Sequence, residues 1–127
     1  MSVATQVPQI TIAIGLTATV FADGAATVVA LRGEADRATL HVVRDALAGV
    51  IANEQGDVVV DLAQTEFMDT AALRAVLSAR ENLAGAGRGL TLRSPSRSAS
   101  RLLGVFGLGH LAGPPLSTDG KEPQSTG

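Results

Sequence analysis

The chain has no cysteine, tryptophan or tyrosine, and aromatic residues make up only 2% of its 127 positions. Without cysteine there is no disulfide frame, no thiol nucleophile and no thiolate metal site. The two histidines, His41 and His110, are too few and too far apart in sequence to suggest a zinc centre, so neither a metal nor another cofactor is expected. Scarce aromatics remove the stacking platforms on which single-stranded nucleic acid is held. A strong excess of either charge sign is missing too. Ten basic residues against twelve acidic ones give a formal net charge of -2, which offers a phosphate backbone no chain-wide attraction, and direct nucleic-acid binding is not expected. Long apolar runs are also absent. Ile10 to Leu16 is too short for a membrane span, and no Lys or Arg precedes Arg32 to form the basic start of a signal peptide, so a cytoplasmic protein is expected.

What is present is a 46% hydrophobic content, enough at this length for one domain with a real core. The most informative stretch runs from Asp57 to Leu77. Val58, Val59 and Val60 form a β-branched run between Asp57 and Asp61, too short for a core helix and suited to a strand buried on both faces. Beyond Leu62 the chain turns polar, and Phe67-Met68 then returns it towards the core. Asp69 is a preferred N-cap residue followed by a run of good helix formers, which puts Thr70 in the first turn of a helix. That turn carries unpaired N–H groups and the positive end of the helix dipole, so it suits a negative group on or near Thr70. On local chemistry alone, capping is the simpler role for both residues.

Read in order, residues 1–9 form a flexible start, 10–111 the folded domain and 112–127 a disordered tail rich in Pro, Ser, Thr and Gly. Ile10, Ile12 and Ile14 alternate with smaller residues as in a strand, although Thr17 to Phe21 is an equal candidate for the paired strand. Asp23-Gly24 reads as a tight hairpin turn before a strand from Thr27 to Leu31. The charged run Arg32 to Arg37 reads as a solvated loop. Thr39 caps a helix whose apolar stripe is Leu40, Val43, Leu47, Val50 and Ile51, with His41 and Arg44 off the stripe. The second helix buries Leu73, Val76, Leu77 and Leu83 and turns Arg74, Ser78 and Glu81 outward. Gly85 to Gly89 follows a helix and precedes a strand, the reverse of a phosphate-binding loop, and reads as a helix stop. Leu90 to Leu92 is a short strand. Ser94-Pro95-Ser96 opens a third helix containing Ala99, Leu102, Leu103 and Phe106. Arg88, Arg93, Arg97 and Arg101 read as a solvated basic face. An antiparallel start feeding strand-helix-strand units gives an α/β domain with a mixed sheet.

Three segments at this spacing resemble a STAS domain, specifically the anti-sigma factor antagonist family. Leu31-Arg32-Gly33-Glu34-Ala35-Asp36 is similar to the family's L-x-G-E-L-D. Val58 to Leu62 followed by Phe67-Met68-Asp69-Thr70 is similar to its strand and F-M-D-S segment. Ser94-Pro95, Leu102-Leu103 and Gly107-Leu108 match its ending. The resemblance implies a STAS-like mixed sheet of four to five strands with three to four helices packed against it. It further implies a non-enzymatic regulator that binds an anti-sigma factor, itself an ATP-dependent Ser/Thr kinase, and is released when the hydroxyl after the motif Asp is phosphorylated. By position that acceptor is Thr70, with Glu34, Asp36, Asp69, Ala72 and Arg74 as the partner-binding residues around it. A homodimer is compatible with the same resemblance.

The chain departs from the family just past the acceptor. A second hydroxyl and Gly-Leu-Gly are usual there, whereas Ala71-Ala72-Leu73-Arg74 stands here. Arg74, one turn beyond Thr70, either obstructs a kinase expecting a flat glycine surface or pairs in cis with a phosphate or with Asp69. The alternative reading is a STAS subunit that never accepts phosphate and serves a stress-signalling scaffold or a lipid-transport complex. An enzyme using Asp36, Asp61 and Asp69 around a metal is disfavoured, since no base or phosphate cradle accompanies the acids.

Overall fold

The computed structural model describes residues 9–95, 97–105 and 107. The flexible start and the disordered tail expected from sequence, and Phe106 in the third helix, therefore lie outside the described residues, apart from Gln9. Five strands, β1 (Gln9–Ala13), β2 (Leu16–Asp23), β3 (Ala26–Ala35), β4 (Val58–Met68) and β5 (Leu90–Arg93), form one sheet in sequence order. The first three are antiparallel, and β4 and β5 continue in parallel. A short 3-10 turn (Arg37–Thr39) leads into α1 (Leu40–Asn53), α2 (Thr70–Ala84) links β4 to β5, and α3 (Arg97–Val105) follows. This is the expected α/β mixed sheet. Both candidates for the opening strand are realised, joined by a turn at Gly15 (φ +99°). The predicted hairpin turn falls between Asp23 and Ala26, with Gly24 at φ +63°.

The core lies between one face of the sheet and the helices. Leu16, Val29, Leu31, Val58, Val60, Leu62 and Leu92 meet Val43, Leu47 and Val50 of α1 and Leu73, Val76 and Leu83 of α2; Ala99 and Leu103 of α3 join the same cluster. The other sheet face holds Phe21, Val28 and Val59, none of which belongs to that cluster. The valine run is thus buried through Val58 and Val60 alone, while Val59 is half-buried, a correction to the expectation of burial on both faces.

Two further expectations are revised. The charged segment after Leu31 is strand as far as Ala35, not a loop, and β4 runs through its polar part to Met68. Each strand supplies the other with ladder partners, and the register adjusts at two irregularities, between Ala30 and Arg32 and between Gly33 and Glu34. Side chains satisfy backbone groups near the first. The buried Thr65 hydroxyl donates to the Leu31 carbonyl at 2.7 Å, and Asp61 Oδ1 accepts the Ala63 N–H at 3.0 Å. Asp61 sits mid-strand and pairs with Arg93 at 3.1 Å. Arg88 and Arg93 are not solvated. Arg88 donates to the carbonyls of Gly56 (2.7 Å) and Ile51 (3.2 Å), tying the turn after α2 to the end of α1, while Arg97 and Arg101 are exposed as expected.

Candidate functional site at the start of the second helix

β3 and β4 end side by side. Ala35 pairs with Met68, and the Asp69 N–H adds one more rung by donating to the Ala35 carbonyl at 3.0 Å. Past that rung the chains part, Asp36 into the 3-10 turn and Asp69 into α2. Two segments far apart in sequence thus deliver their acids to one corner of the sheet.

Asp69 is the N-cap of α2, its carboxylate accepting the Ala72 N–H at 2.9 Å. Thr70 is the first helical residue and is exposed. Among the described residues its hydroxyl has no hydrogen-bond partner. None of the described side chains is therefore hydrogen-bonded to it as a base in cis, and a phosphoryl transfer would take its base from a kinase.

Asp36 is also a cap. Its N–H donates to Thr39 Oγ1 at 2.9 Å, and its Oδ1 accepts the Thr39 N–H at 3.1 Å, a reciprocal capping box. Thr39, expected to cap α1, makes no side-chain cap bond to that helix; its buried hydroxyl turns back to the Glu34 carbonyl at 2.8 Å. Glu34 is exposed, and its N–H donates to the Gly15 carbonyl at 2.8 Å. That contact explains Gly33. At φ +114°, a Cβ there would stand 2.2 Å from the Gly15 oxygen, so only glycine lets β3 pass the β1–β2 turn.

Ala72, expected to face a partner, is fully buried, because the position two residues past Thr70 points into the core and presents no side chain outward. Arg74 is exposed, as predicted, but forms no ion pair with Asp69 or any other carboxylate among the described residues. It borders a shallow groove of about 500 Å³ between α1 and α2, with Arg44 on the facing helix and Leu47, Ile51 and Ala75 among the lining residues.

Phe67 was missed by the sequence reading, which sent it towards the core. It is 46% exposed, two residues before Asp69 and paired with Glu34. The signal was available, because strand neighbours point to opposite faces and the buried Met68 sends Phe67 outward. Among the described residues no group of three or more His, Asp or Glu side chains is placed to hold a metal ion. Asp61 is committed to Arg93, apart from the corner that holds Asp36 and Asp69.

A family profile described as "Mlab, STAS domain" matches residues 18–114, well over half of the chain. The chain belongs to the STAS domain family. No curated protein matches this STAS domain in sequence. Among solved structures it is similar to an anti-sigma factor antagonist from Mycobacterium paratuberculosis, with a TM-score of 0.70 and 25% identity over 76% of this chain and 82% of that one. It also shares its fold with the Bacillus cell fate determinant SpoIIAA. The unphosphorylated form of that protein gives a TM-score of 0.64 at 19% identity, covering 84% of this chain and 85% of the other. The phosphorylated form gives 0.60 at 19% identity, covering 84% and 88%. This STAS domain thus resembles anti-sigma factor antagonists. No helix among its described residues is long and apolar enough to cross a membrane.

Proposed function

We propose that this STAS domain is an anti-sigma factor antagonist that docks on a kinase partner through the corner formed by Glu34, Asp36, Asp69 and Thr70, and is released when Thr70 is phosphorylated. The observation that carries the reading is the exposed, unbonded Thr70 hydroxyl at the first position of α2, beside two fixed acids. Phe67 adds an apolar anchor to the same corner. A phosphate on Thr70 adds about two negative charges and three strong acceptors. Within the domain the first-turn N–H groups tolerate that charge. Against a partner shaped for a neutral hydroxyl between carboxylates, it adds desolvation and repulsion. For a micromolar complex worth about 8 kcal/mol, a loss of about 2–3 kcal/mol lowers affinity roughly 30- to 150-fold.

The test is to co-purify the kinase from the native cell, incubate it with the domain and ATP, and map the product by mass spectrometry. A single phosphate at Thr70, absent from Thr70→Ala, is the expected result. Phosphate that persists in Thr70→Ala overturns the assignment.

One observation favours a second reading, in which the domain never accepts phosphate and serves as an interaction subunit of a scaffold or a lipid-transport complex. Arg74 is exposed and has no ion-pair partner among the described residues where the family pattern has glycine, facing Arg44 across the α1–α2 groove. Recovery of scaffold or transporter subunits without a kinase in the same co-purification selects that reading.

A further inference from the structure

We infer that β1 is a self-complementary edge through which two copies of this chain pair into one continuous sheet. The inference is independent of any phosphorylation at Thr70. Among the described residues no strand lies outside β1, so one side of its backbone lacks ladder partners. Its side chains are unusual for such an edge. Ile10 is 59% exposed and Ile12 69% exposed, and the strand carries no charge, no proline and no irregularity in its pairing with β2. The opposite edge, β5, shows the usual safeguards. It is only four residues long, and it ends in Arg93, which is held by Asp61 and Asp23. The exposed apolar edge belongs to β1 alone of the two.

The occupant is fixed by the order of residues in β1. In an antiparallel pairing centred on Thr11, Thr11 meets Thr11 of the second copy, Ile10 meets Ile12, and Gln9 meets Ala13. Both isoleucine pairs and the central threonine pair are favourable cross-strand combinations, and no like charges are opposed. A two-fold contact of this kind uses the same patch on both copies and closes on itself, so it ends at a dimer. The faces also agree. Ala13 packs on the helix-side core, and Thr11 pairs with the buried Ala18 on that side. Ile10 and Ile12 therefore lie on the opposite face, beside Thr19 and Thr17 of β2. Pairing would cover both isoleucines there without disturbing α1. The Asp36–Thr70 corner lies at the C-terminal ends of β3 and β4, separated from the free side of β1 by β2, so pairing along that side leaves it accessible.

The cysteine-free sequence gives a direct test. Thr11→Cys sits on the two-fold axis and under mild oxidation should convert most of the chain to a disulfide-linked dimer, whereas Arg101→Cys on exposed α3 should not. Sedimentation velocity of the unmodified full chain, from micromolar to millimolar, should show a shift from a 12.9 kDa species towards twice that mass. Ile12→Lys should abolish the shift while leaving the thermal midpoint of the dilute, monomeric chain unchanged, because Ile12 is exposed in the single copy. Mixing Ile10→Lys with Ile12→Glu should restore a mixed dimer, since the antiparallel register sets those positions opposite each other. A monomer at every concentration overturns the inference. So does a dimer that survives Ile12→Lys, which would place the contact on another surface.

Discussion

Asp36 and Thr39 cap each other, the Asp36 N–H donating to the Thr39 hydroxyl at 2.9 Å and the Thr39 N–H to the Asp36 carboxylate at 3.1 Å. The acid that faces the proposed phosphoacceptor corner is thus the one that shapes the turn carrying it. Thr39→Ala should cost about 1–2 kcal/mol in urea unfolding, since a cap is lost and the Glu34 carbonyl loses the buried Thr39 hydroxyl as its donor. Thr39→Ser should recover most of that loss by restoring the hydroxyl. Equal stability in all three proteins would show that the box contributes nothing.

Gly33 should be nearly irreplaceable. A Cβ at this position meets the Gly15 oxygen, and the backbone lies at φ +114°, so Gly33→Ala combines a backbone clash with a conformation that L residues avoid. A loss of at least about 2 kcal/mol is expected in chemical denaturation, whereas Gly24→Ala, with no neighbour within 4 Å, should cost less despite its positive φ.

Arg93 ties the strands together on the sheet face away from the helices. It bonds Asp61 at 3.1 Å and approaches Asp23 at 3.6 Å, with side-chain exposures of 15% and 21% for Arg93 and Asp61. Asp61→Ala should destabilise by roughly 1–3 kcal/mol, less than for a fully buried pair because both groups reach solvent and Asp23 remains. A double-mutant cycle with Arg93→Met measures the coupling; additive single losses would mean that the pair is energetically silent.

Phe67 should matter for binding and not for folding. Because nearly half of it is exposed, Phe67→Ala should change stability by less than about 1 kcal/mol. Beside Thr70 it should lower affinity for the co-purified partner about tenfold or more, the scale of an interface anchor. Titration calorimetry decides this, and unchanged affinity would remove Phe67 from the docking surface.

The readable parts of the chain were those in which a residue's neighbours in sequence are also its physical environment. Asp69 before a run of helix formers is such a case, and the capping bond to Ala72 formed as expected. The apolar stripe of α2 predicted its buried face, with Leu73, Val76 and Leu83 buried, Leu77 partly buried, and Arg74 outward. Judged by its charges alone the run Arg32 to Arg37 is a loop, but its first four residues, to Ala35, are strand. Its strand exists because β4 runs alongside and supplies the rungs. Arg88 and Arg93 look solvated in the sequence for the same reason, since their acceptors come from segments more than thirty residues away.

By itself, then, the sequence determined the order of elements from Thr27 onward, the cap at Asp69 and the place of Thr70 in the first turn of the second helix, because caps and periodicity are properties of a few consecutive residues. The tertiary structure decided which acids share a corner, that Asp36 is a cap, that Ala72 is hidden, and that only glycine fits at position 33. Those facts depend on what the parallel pairing of β3 with β4 and the crossing of the β1–β2 turn bring into contact, and no local pattern encodes that proximity.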